Sequence, residues 1–192
     1  RRLHGSAPDE PRPPVIATHA GGRRVPIEPK PTFWDVDTQV DFIMPGGKLA
    51  IAGAEAILPN LGRLTRYARD GGIRVMGSVD WHSPDDAELS ERPDYPHTFP
   101  PHCLAGTPGS KKVPETAPTD ALSVANAPED ADSLAGRLRA HGGEIYLRKQ
   151  RFDVFTNPNT ETVLETVRLR HVVVYGVALD VCNAHVIDGF LR

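Results

Sequence analysis

The chain has 192 residues, of which 39% are hydrophobic and 24% are charged, and its formal net charge is −3. This length and apolar content suit one domain with a hydrophobic core, and the slightly acidic balance argues against nucleic-acid binding, which calls for a basic surface. No apolar run reaches the roughly 18 residues of a membrane helix, and the first residues lack the apolar stretch of a secretory signal. Two cysteines, Cys103 and Cys182, are too few for a disulfide framework, so we expect a cytoplasmic protein with reduced thiols.

Residues 1–30 differ in composition from the rest of the chain. This segment holds six prolines, and its six basic residues outnumber its three acidic ones. Because proline interrupts regular secondary structure, the segment predicts a flexible N-terminal arm rather than a dedicated binding element. The folded domain is therefore expected over residues 31–192.

From residue 31 onward, short apolar runs typical of strands alternate with segments whose apolar residues recur at helical spacing. The predicted strands span residues 32–37, 73–80, 144–149 and 171–177, and the predicted helices span residues 57–70, 132–140, 160–170 and a segment that begins near Cys182. Residues 81 to about 128 form a long connection rich in Pro, Gly and His, which we expect to be functional because irregular connections of this length are uncommon.

The alternation predicts a three-layer α/β domain, Rossmann-like, with a mainly parallel central sheet flanked by helices. The almost continuously apolar run 171–177 predicts a strand that is buried on both faces. The last predicted helix runs to Arg192 with no glycine stop and no strand after it, so we expect the domain to lack its C-terminal elements.

Four reactive side chains fall at equivalent positions of the predicted sheet. Asp37, Asp80 and Lys149 end three of the strands, and Cys182 opens the helix after the fourth, so all four are expected at one edge, where parallel sheets bind ligands. A helix N-terminus favours the thiolate of a cysteine, Asp37 can take its proton, and Lys149 can stabilise the ion pair. Each residue alone is more often structural, but their common placement favours a nucleophilic site.

A second group of polar residues points to a metal ion. Asp80 and His82, two positions apart on an extended segment, lie on the same side of it, and His102 follows in the long connection. A carboxylate and two imidazoles can bind zinc, iron or manganese, although a loop that is merely polar has the same spacing. Three more side chains of this connection could add a ligand, namely Glu88, Glu91 and His97.

Five short motifs follow one another between residues 31 and 192. They are Asp37-Thr38-Gln39-Val40-Asp41-Phe42 with Pro45-Gly46-Gly47, Asp80-Trp81-His82, Phe99-Pro100-Pro101-His102-Cys103 with Gly106-Thr107-Pro108-Gly109, Lys149 with Phe152 and Phe155, and Gly176-Val177-Ala178-Leu179-Asp180-Val181-Cys182. In this order they resemble the signatures of the nicotinamidases, within the isochorismatase-like cysteine hydrolases.

The resemblance implies a role for each reactive residue. Asp37 is implied as the general base, Lys149 as its electrostatic partner and Cys182 as the nucleophile. The peptide between Val177 and Ala178 is implied to be cis, with the N–H groups of Ala178 and Cys182 forming an oxyanion hole.

The resemblance also implies one divalent metal ion, which in the family holds the ring nitrogen of the substrate. The implied ligands are Asp80, His82, His102 and, as the preferred fourth, Glu88. Phe42 and Phe99 are implied to flank the substrate ring, with Phe99 in place of the larger tryptophan of many relatives. Asp35 departs from the usual aliphatic residue, and we expect it to be paired or adjacent to the metal.

The activity implied is hydrolysis of nicotinamide to nicotinate and ammonia through a thioester on Cys182. Two alternatives stay open: a related hydrolase for another small amide, and a non-catalytic relative. We expect a homo-oligomer that acts on a small molecule and has neither nucleic acid nor a membrane as its partner.

Overall fold

A five-stranded parallel sheet is the centre of the structure, a computed structural model that describes residues 30–95 and 97–192. The strands are β1 (Thr32–Val36), β2 (Val75–Asp80), β3 (Ala121–Val124), β4 (Glu144–Lys149) and β5 (Val172–Gly176). The α-helices are α1 (Val40–Ile43), α2 (Leu58–Asp70), α3 (Ala131–Ala140), α4 (Thr160–Val167) and α5 (Cys182–Leu191), and 3-10 helices cover Ala54–Ile57 and Val154–Thr156. The arm predicted at the N-terminus lies, apart from Lys30, outside the described residues.

The strands lie in the order β3-β4-β2-β1-β5, and every neighbouring pair is parallel. Asp80 at the end of β2 is in register with Lys149 at the end of β4, and Val36 at the end of β1 is in register with Ser78. The carboxyl ends of these three strands therefore meet at one edge of the sheet. This architecture confirms the predicted α/β fold.

Two hydrophobic clusters, one on each face of the sheet, make the molecule three-layered. Along β1, Trp34 and Val36 pack into the cluster that includes residues of α3, α4 and α5. Phe33, which directly precedes Trp34 in the chain, packs into the cluster that includes residues of α1 and α2. The two-residue period of a strand explains this division, since successive side chains point to opposite faces.

β3 was not predicted from the sequence, and it lies within the connection expected to be irregular. β3 is a four-residue edge strand, and only Val124 of its residues is buried. A strand this short, with polar and exposed positions, produces neither an apolar run nor a clear alternation.

Among the helices that the structure describes, none combines the length and the apolar character needed to cross a membrane.

The prediction that residues 171–177 are buried on both faces was wrong. β5 is the other edge strand of the sheet, and Val173 is 38% exposed.

Helix α4 ends at Val167 rather than near residue 170, because Arg168 is left-handed with φ 57° and donates its N–H to the carbonyl of Leu164. Such a left-handed residue is a common way to end a helix.

Candidate active site

The ends of β1, β2 and β4 bring three buried charged side chains together. Asp37 follows β1, while Asp80 and Lys149 are the last residues of their strands. The Lys149 Nζ lies 2.9 Å from the Asp37 Oδ2, contacts the Asp80 Oδ1, and lies 3.6 Å from the Sγ of Cys182. The structure thus brings together the four side chains that the sequence placed at the sheet edge.

Backbone and side-chain contacts with β2 hold Asp37 in place. Its φ is 48°, a left-handed value that is uncommon for residues other than glycine but tolerated best by Asp and Asn. The Ser78 Oγ donates a hydrogen bond of 2.8 Å to the Asp37 Oδ1, and the Asp37 N–H donates to the Ser78 carbonyl. Burial raises the pKa of Asp37, and the charge of Lys149 opposes this rise only in part. A carboxylate with a raised pKa is better suited to accept a proton.

Lys149 stays protonated because two carboxylates surround it. Burial alone would lower the pKa of Lys149, but Asp37 and Asp80 raise it well above its ordinary value. Burial likewise favours the neutral form of Asp80, yet the charge of Lys149 and the neighbouring imidazoles of His102 and His82 bring its pKa below the ordinary value. The centre of the site is therefore a cation between two carboxyl groups.

Cys182 is the first residue of α5 and is 7% exposed. Burial raises the pKa of its thiol well above the ordinary value; Lys149 opposes this rise, and the charges of Asp37 and Asp80 add to it. The resting sulfur therefore carries its proton, and a base must accept that proton when the sulfur reacts.

The segment between β5 and α5 presents two backbone donors beside the sulfur. The peptide between Val177 and Ala178 is cis, as expected, and Gly176 before it has φ 131°, a value that residues with side chains rarely adopt. Among the described residues, neither the N–H of Ala178 nor that of Cys182 has a backbone acceptor. Ala178 and Cys182 both line the neighbouring cavity.

Asp80, His82 and His102 form a buried cluster whose ligand atoms lie within 4.8 Å of one another. The Nε2 atoms of His82 and His102 lie 3.8 and 3.5 Å from the Asp80 Oδ2. The His82 Nε2 is fully buried and has no hydrogen-bond partner among the described residues. Since buried polar atoms are almost always satisfied, this unpartnered nitrogen fits the role of a metal ligand, and the donor set suits a divalent metal.

Glu88 is the candidate fourth ligand that lies at this cluster. Its Oε2 is 4.0 Å from the His82 Nε2, and it is also buried and unpartnered within the described part of the chain. Burial and the negative charge of Asp80 raise the pKa of Glu88, and the charge of Lys149 opposes this rise only in part. The other two candidates, Glu91 and His97, are exposed.

A cavity of about 360 Å³ opens above the sulfur and the cluster. Its aromatic walls are formed by Phe42, Tyr95, Phe99 and Phe152. The Phe99 ring lies 5.3 Å from the Phe152 ring, and the Phe42 ring lies 5.4 Å from that of His102. No arginine or lysine occurs among the described residues that line the cavity. The sequence did not indicate Tyr95 as a cavity residue, and it indicated Phe152 only through its position shortly after Lys149.

Asp35 is paired and is not part of the metal cluster. It is fully buried on β1, where the Lys112 Nζ lies 2.9 Å from its Oδ2 and the Thr38 hydroxyl donates to its carboxylate. The Lys112 Nζ also lies over the ring of Tyr146 on β4. Of the two expectations for Asp35, the structure bears out the paired one.

Comparisons with characterised proteins give related amide hydrolases. The chain is 28% identical to the ureidoacrylate amidohydrolase RutB of Caulobacter segnis over 200 residues, which covers 93% of this chain and 74% of that protein. It is 37% identical to the nicotinamidase/pyrazinamidase of Mycobacterium tuberculosis over 75 residues, 39% of each chain. It is 24% identical to the N-carbamoylsarcosine amidase of an Arthrobacter species over 166 residues, 86% of this chain and 56% of that protein. No protein-family model matches the chain.

Solved structures share the fold. The pyrazinamidase of Pyrococcus horikoshii in complex with zinc is 24% identical, with a TM-score of 0.61 over 85% of this chain and 79% of that one. An isochorismatase-like hydrolase from Alkaliphilus metalliredigens is 23% identical, with a TM-score of 0.60 over 84% of this chain and 75% of that one. Together with the relatives above, these similarities show that the chain has the fold of the isochorismatase-like hydrolases and is similar in sequence to amidohydrolases.

Proposed function

We propose that the protein is a metal-containing cysteine amidohydrolase that converts nicotinamide to nicotinate and ammonia. The observation that carries this proposal is the position of the Lys149 ammonium, which lies 2.9 Å from the Asp37 carboxylate and 3.6 Å from the Cys182 sulfur. A protonated nucleophile, a base with a raised pKa and a fixed cation at the floor of a cavity are the parts that acyl transfer through a thioester requires.

In the first half of the proposed reaction, the sulfur of Cys182 bonds to the amide carbon and its proton passes to Asp37. The carbonyl oxygen becomes an oxyanion, which the N–H groups of Ala178 and Cys182 receive. Lys149 remains charged and offsets the negative charge that passes through the site. The carbon–nitrogen bond then breaks, Asp37 returns the proton to the leaving nitrogen, and ammonia departs from a thioester.

In the second half, water attacks the thioester carbon while Asp37 takes its proton. The carbon–sulfur bond breaks, the proton passes from Asp37 to the sulfur, and the thiol of Cys182 is regenerated. The carboxylic acid product ionises to nicotinate. One carboxylate thus serves as base and acid in both halves.

Asp80, His82, His102 and Glu88 are proposed to hold one zinc, iron or manganese ion, because two of these side chains carry buried atoms that have no hydrogen-bond partner in the described part of the chain. When bound, the ion supplies a Lewis-acid site that takes the ring nitrogen of nicotinamide and orients the carboxamide.

The lining of the cavity favours a neutral aromatic amide. Phe42 and Phe99 are proposed to flank a flat ring; both line the cavity, and the Phe152 ring lies beside that of Phe99. A substrate with a carboxylate, such as ureidoacrylate, needs a cationic or donor-rich partner when it is desolvated, and no arginine or lysine lines the described cavity wall. Another small neutral amide is the second candidate, supported by the same lining.

Ammonia release from nicotinamide tests the proposal. We expect release by the purified protein supplied with Zn²⁺, Mn²⁺ or Fe²⁺, no release by Cys182→Ala, and continued release by Cys103→Ala, which removes the other, fully buried thiol. Ureidoacrylate is expected to be a much poorer substrate. Absence of release with all three metals, or release that survives Cys182→Ala, would refute the proposal.

A further inference from the structure

Both histidines of the metal cluster are held at the ring nitrogen that points away from the cluster. The His82 Nδ1 lies 3.2 Å from the Asp86 Oδ2, and the His102 Nδ1 lies 2.8 Å from the carbonyl oxygen of Pro100. A carbonyl and a carboxylate oxygen can only accept, so each neutral ring carries its hydrogen on Nδ1. The Nε2 lone pair of each ring is then left for a metal ion.

Asp86 is itself fixed by neighbours on two sides. Its Oδ2 also accepts a hydrogen bond of 2.9 Å from the N–H of Ser83, and its Oδ1 accepts one of 3.4 Å from the Nε2 of Gln150. Gln150 directly follows Lys149, and its Oε1 accepts from the side chain of Asn126. Asp86 therefore ties the loop that carries His82 to the strand end that carries Lys149.

We propose that Asp86 is a positioning residue of the metal site, which selects the tautomer of His82 and the orientation of its ring. This inference rests on the metal ion of the proposed function. Carboxylates that accept from a metal-binding histidine fix its ring and raise the basicity of the coordinating nitrogen, and their loss weakens metal binding. The Nδ1 of His102 lies instead against the neutral carbonyl of Pro100. Within the described part of the cluster, Asp86 is therefore the only charged group that accepts a hydrogen bond from the Nδ1 of a histidine.

The neighbouring residue supplies a matched control. Asp85 carries the same charge one position earlier, is exposed, and makes no side-chain hydrogen bond within the described residues. Replacing Asp85 by alanine therefore changes the net charge of the loop by the same amount without touching the ring of His82.

The test is the affinity of the metal-stripped chain for Zn²⁺, measured by competition with a chromophoric chelator. Asp86→Ala is expected to weaken binding by about ten- to a hundredfold, whereas Asp85→Ala binds as the wild type does. Asp86→Asn keeps an oxygen that accepts from the His82 Nδ1, so its affinity is expected to lie between those two, and it replaces the alanine variant if that variant does not fold. The proposal is overturned if the wild type takes up no Zn²⁺, or if Asp86→Ala binds no more weakly than Asp85→Ala.

A second readout separates positioning from a general loosening of the loop. In ¹⁵N spectra of the metal-stripped protein, His82 of the wild type is expected to show the tautomer protonated at Nδ1, and Asp86→Ala is expected to show a mixture. An unchanged tautomer contradicts the proposal. Because neither measurement uses a substrate, a protein whose affinity for Zn²⁺ depends on Asp86 but that releases no ammonia would refute the proposed activity and leave this inference standing.

Discussion

The ammonium nitrogen of Lys149 lies 3.6 Å from the sulfur of Cys182, although 33 positions separate the two residues in the chain. Lys149 ends β4 and Cys182 begins α5, so the pair exists only when the sheet is assembled. Burial holds the proton on the sulfur, while the neighbouring cation lowers the cost of removing it. The proposed chemistry therefore depends on Asp37, the group that is proposed to accept this proton.

Asp37→Asn is expected to lower kcat by about 100- to 10,000-fold, because the amide has nearly the same shape but cannot accept the proton. The KM for nicotinamide is expected to change little, since Asp37 is not among the residues that line the cavity. Steady-state ammonia release measures both constants. A variant with the kcat of the wild type would exclude Asp37 as the base.

Ser78→Ala tests the support of that base. The Ser78 hydroxyl donates to the Asp37 Oδ1, and a hydrogen bond to a charged group contributes about 1.5–3 kcal/mol. We expect a fall in kcat that is smaller than that of Asp37→Asn. Ser123→Ala, at an exposed position of the edge strand β3, is the matched control and is expected to retain full activity. Equal effects of the two serine variants would contradict this role of Ser78.

Phe152→Ala is expected to raise the KM for nicotinamide by about two- to tenfold, because an aromatic pair contributes about 0.5–1.5 kcal/mol beyond the area it buries. The Phe152 ring lies 5.3 Å from the Phe99 ring on the cavity wall and has no polar group that could take part in bond breaking. Its kcat is therefore expected to fall less than its kcat/KM. Tyr67→Ala, which removes a 65% exposed ring on α2, serves as the control. A normal KM in Phe152→Ala would remove Phe152 from the substrate wall.

Removal of the metal is expected to lower Tm. A ligand that binds only the folded state at a hundred times its Kd stabilises that state by about 2.7 kcal/mol, so Zn²⁺ added to the stripped protein raises Tm. The double variant His82→Ala, His102→Ala is expected to show no such rise and to purify without stoichiometric metal. Calorimetry and metal analysis check both statements, and an equal rise in the double variant would place the ion elsewhere.

The parts of the fold that the sequence predicted are those whose burial leaves a pattern in the chain. β2 and β4 lie in the interior of the sheet, and their apolar runs show that these strands end at Asp80 and Lys149. The edge strands β3 and β5 did not follow this rule, because a strand with one neighbour is covered less completely. β3 was missed, and the burial of β5 was overestimated.

Within the long connection after β2, the sequence likewise could not predict which side chains reach the site. Strand ends can be read from apolar runs, so Asp37, Asp80 and Lys149 could be grouped in advance. Glu88 could not be separated from Glu91 and His97, because an irregular loop has no period that relates spacing to direction. The contacts of Asp86 with His82 and Gln150 likewise depend on tertiary structure alone.

Asp35 and Lys112 form a buried pair that lies apart from the reacting groups. Burial raises the pKa of Asp35, and the ammonium of Lys112, 2.9 Å from its Oδ2, opposes this rise. Lys112→Met removes that cation and leaves a carboxylate uncompensated, so we expect the free energy of unfolding to fall by about 3–5 kcal/mol at neutral pH. Lys111→Met, at the exposed neighbouring position, is expected to change it little.

The pH dependence of this loss has a definite sign. Without Lys112, the pKa of Asp35 in the folded state is expected to rise further above the value of 3.8 that the unfolded carboxyl has. The folded state then binds more protons between these two pKa values, so its stability falls as pH rises through that window and recovers as pH falls. Urea unfolding at about pH 4.5 and about pH 7.5 should therefore show a smaller deficit, relative to the wild type, at the lower pH. Adding Asp35→Asn to Lys112→Met should restore part of the loss at neutral pH and abolish its pH dependence. A deficit that grows on acidification, or a double variant no more stable than Lys112→Met, would show that the two side chains do not act as a pair.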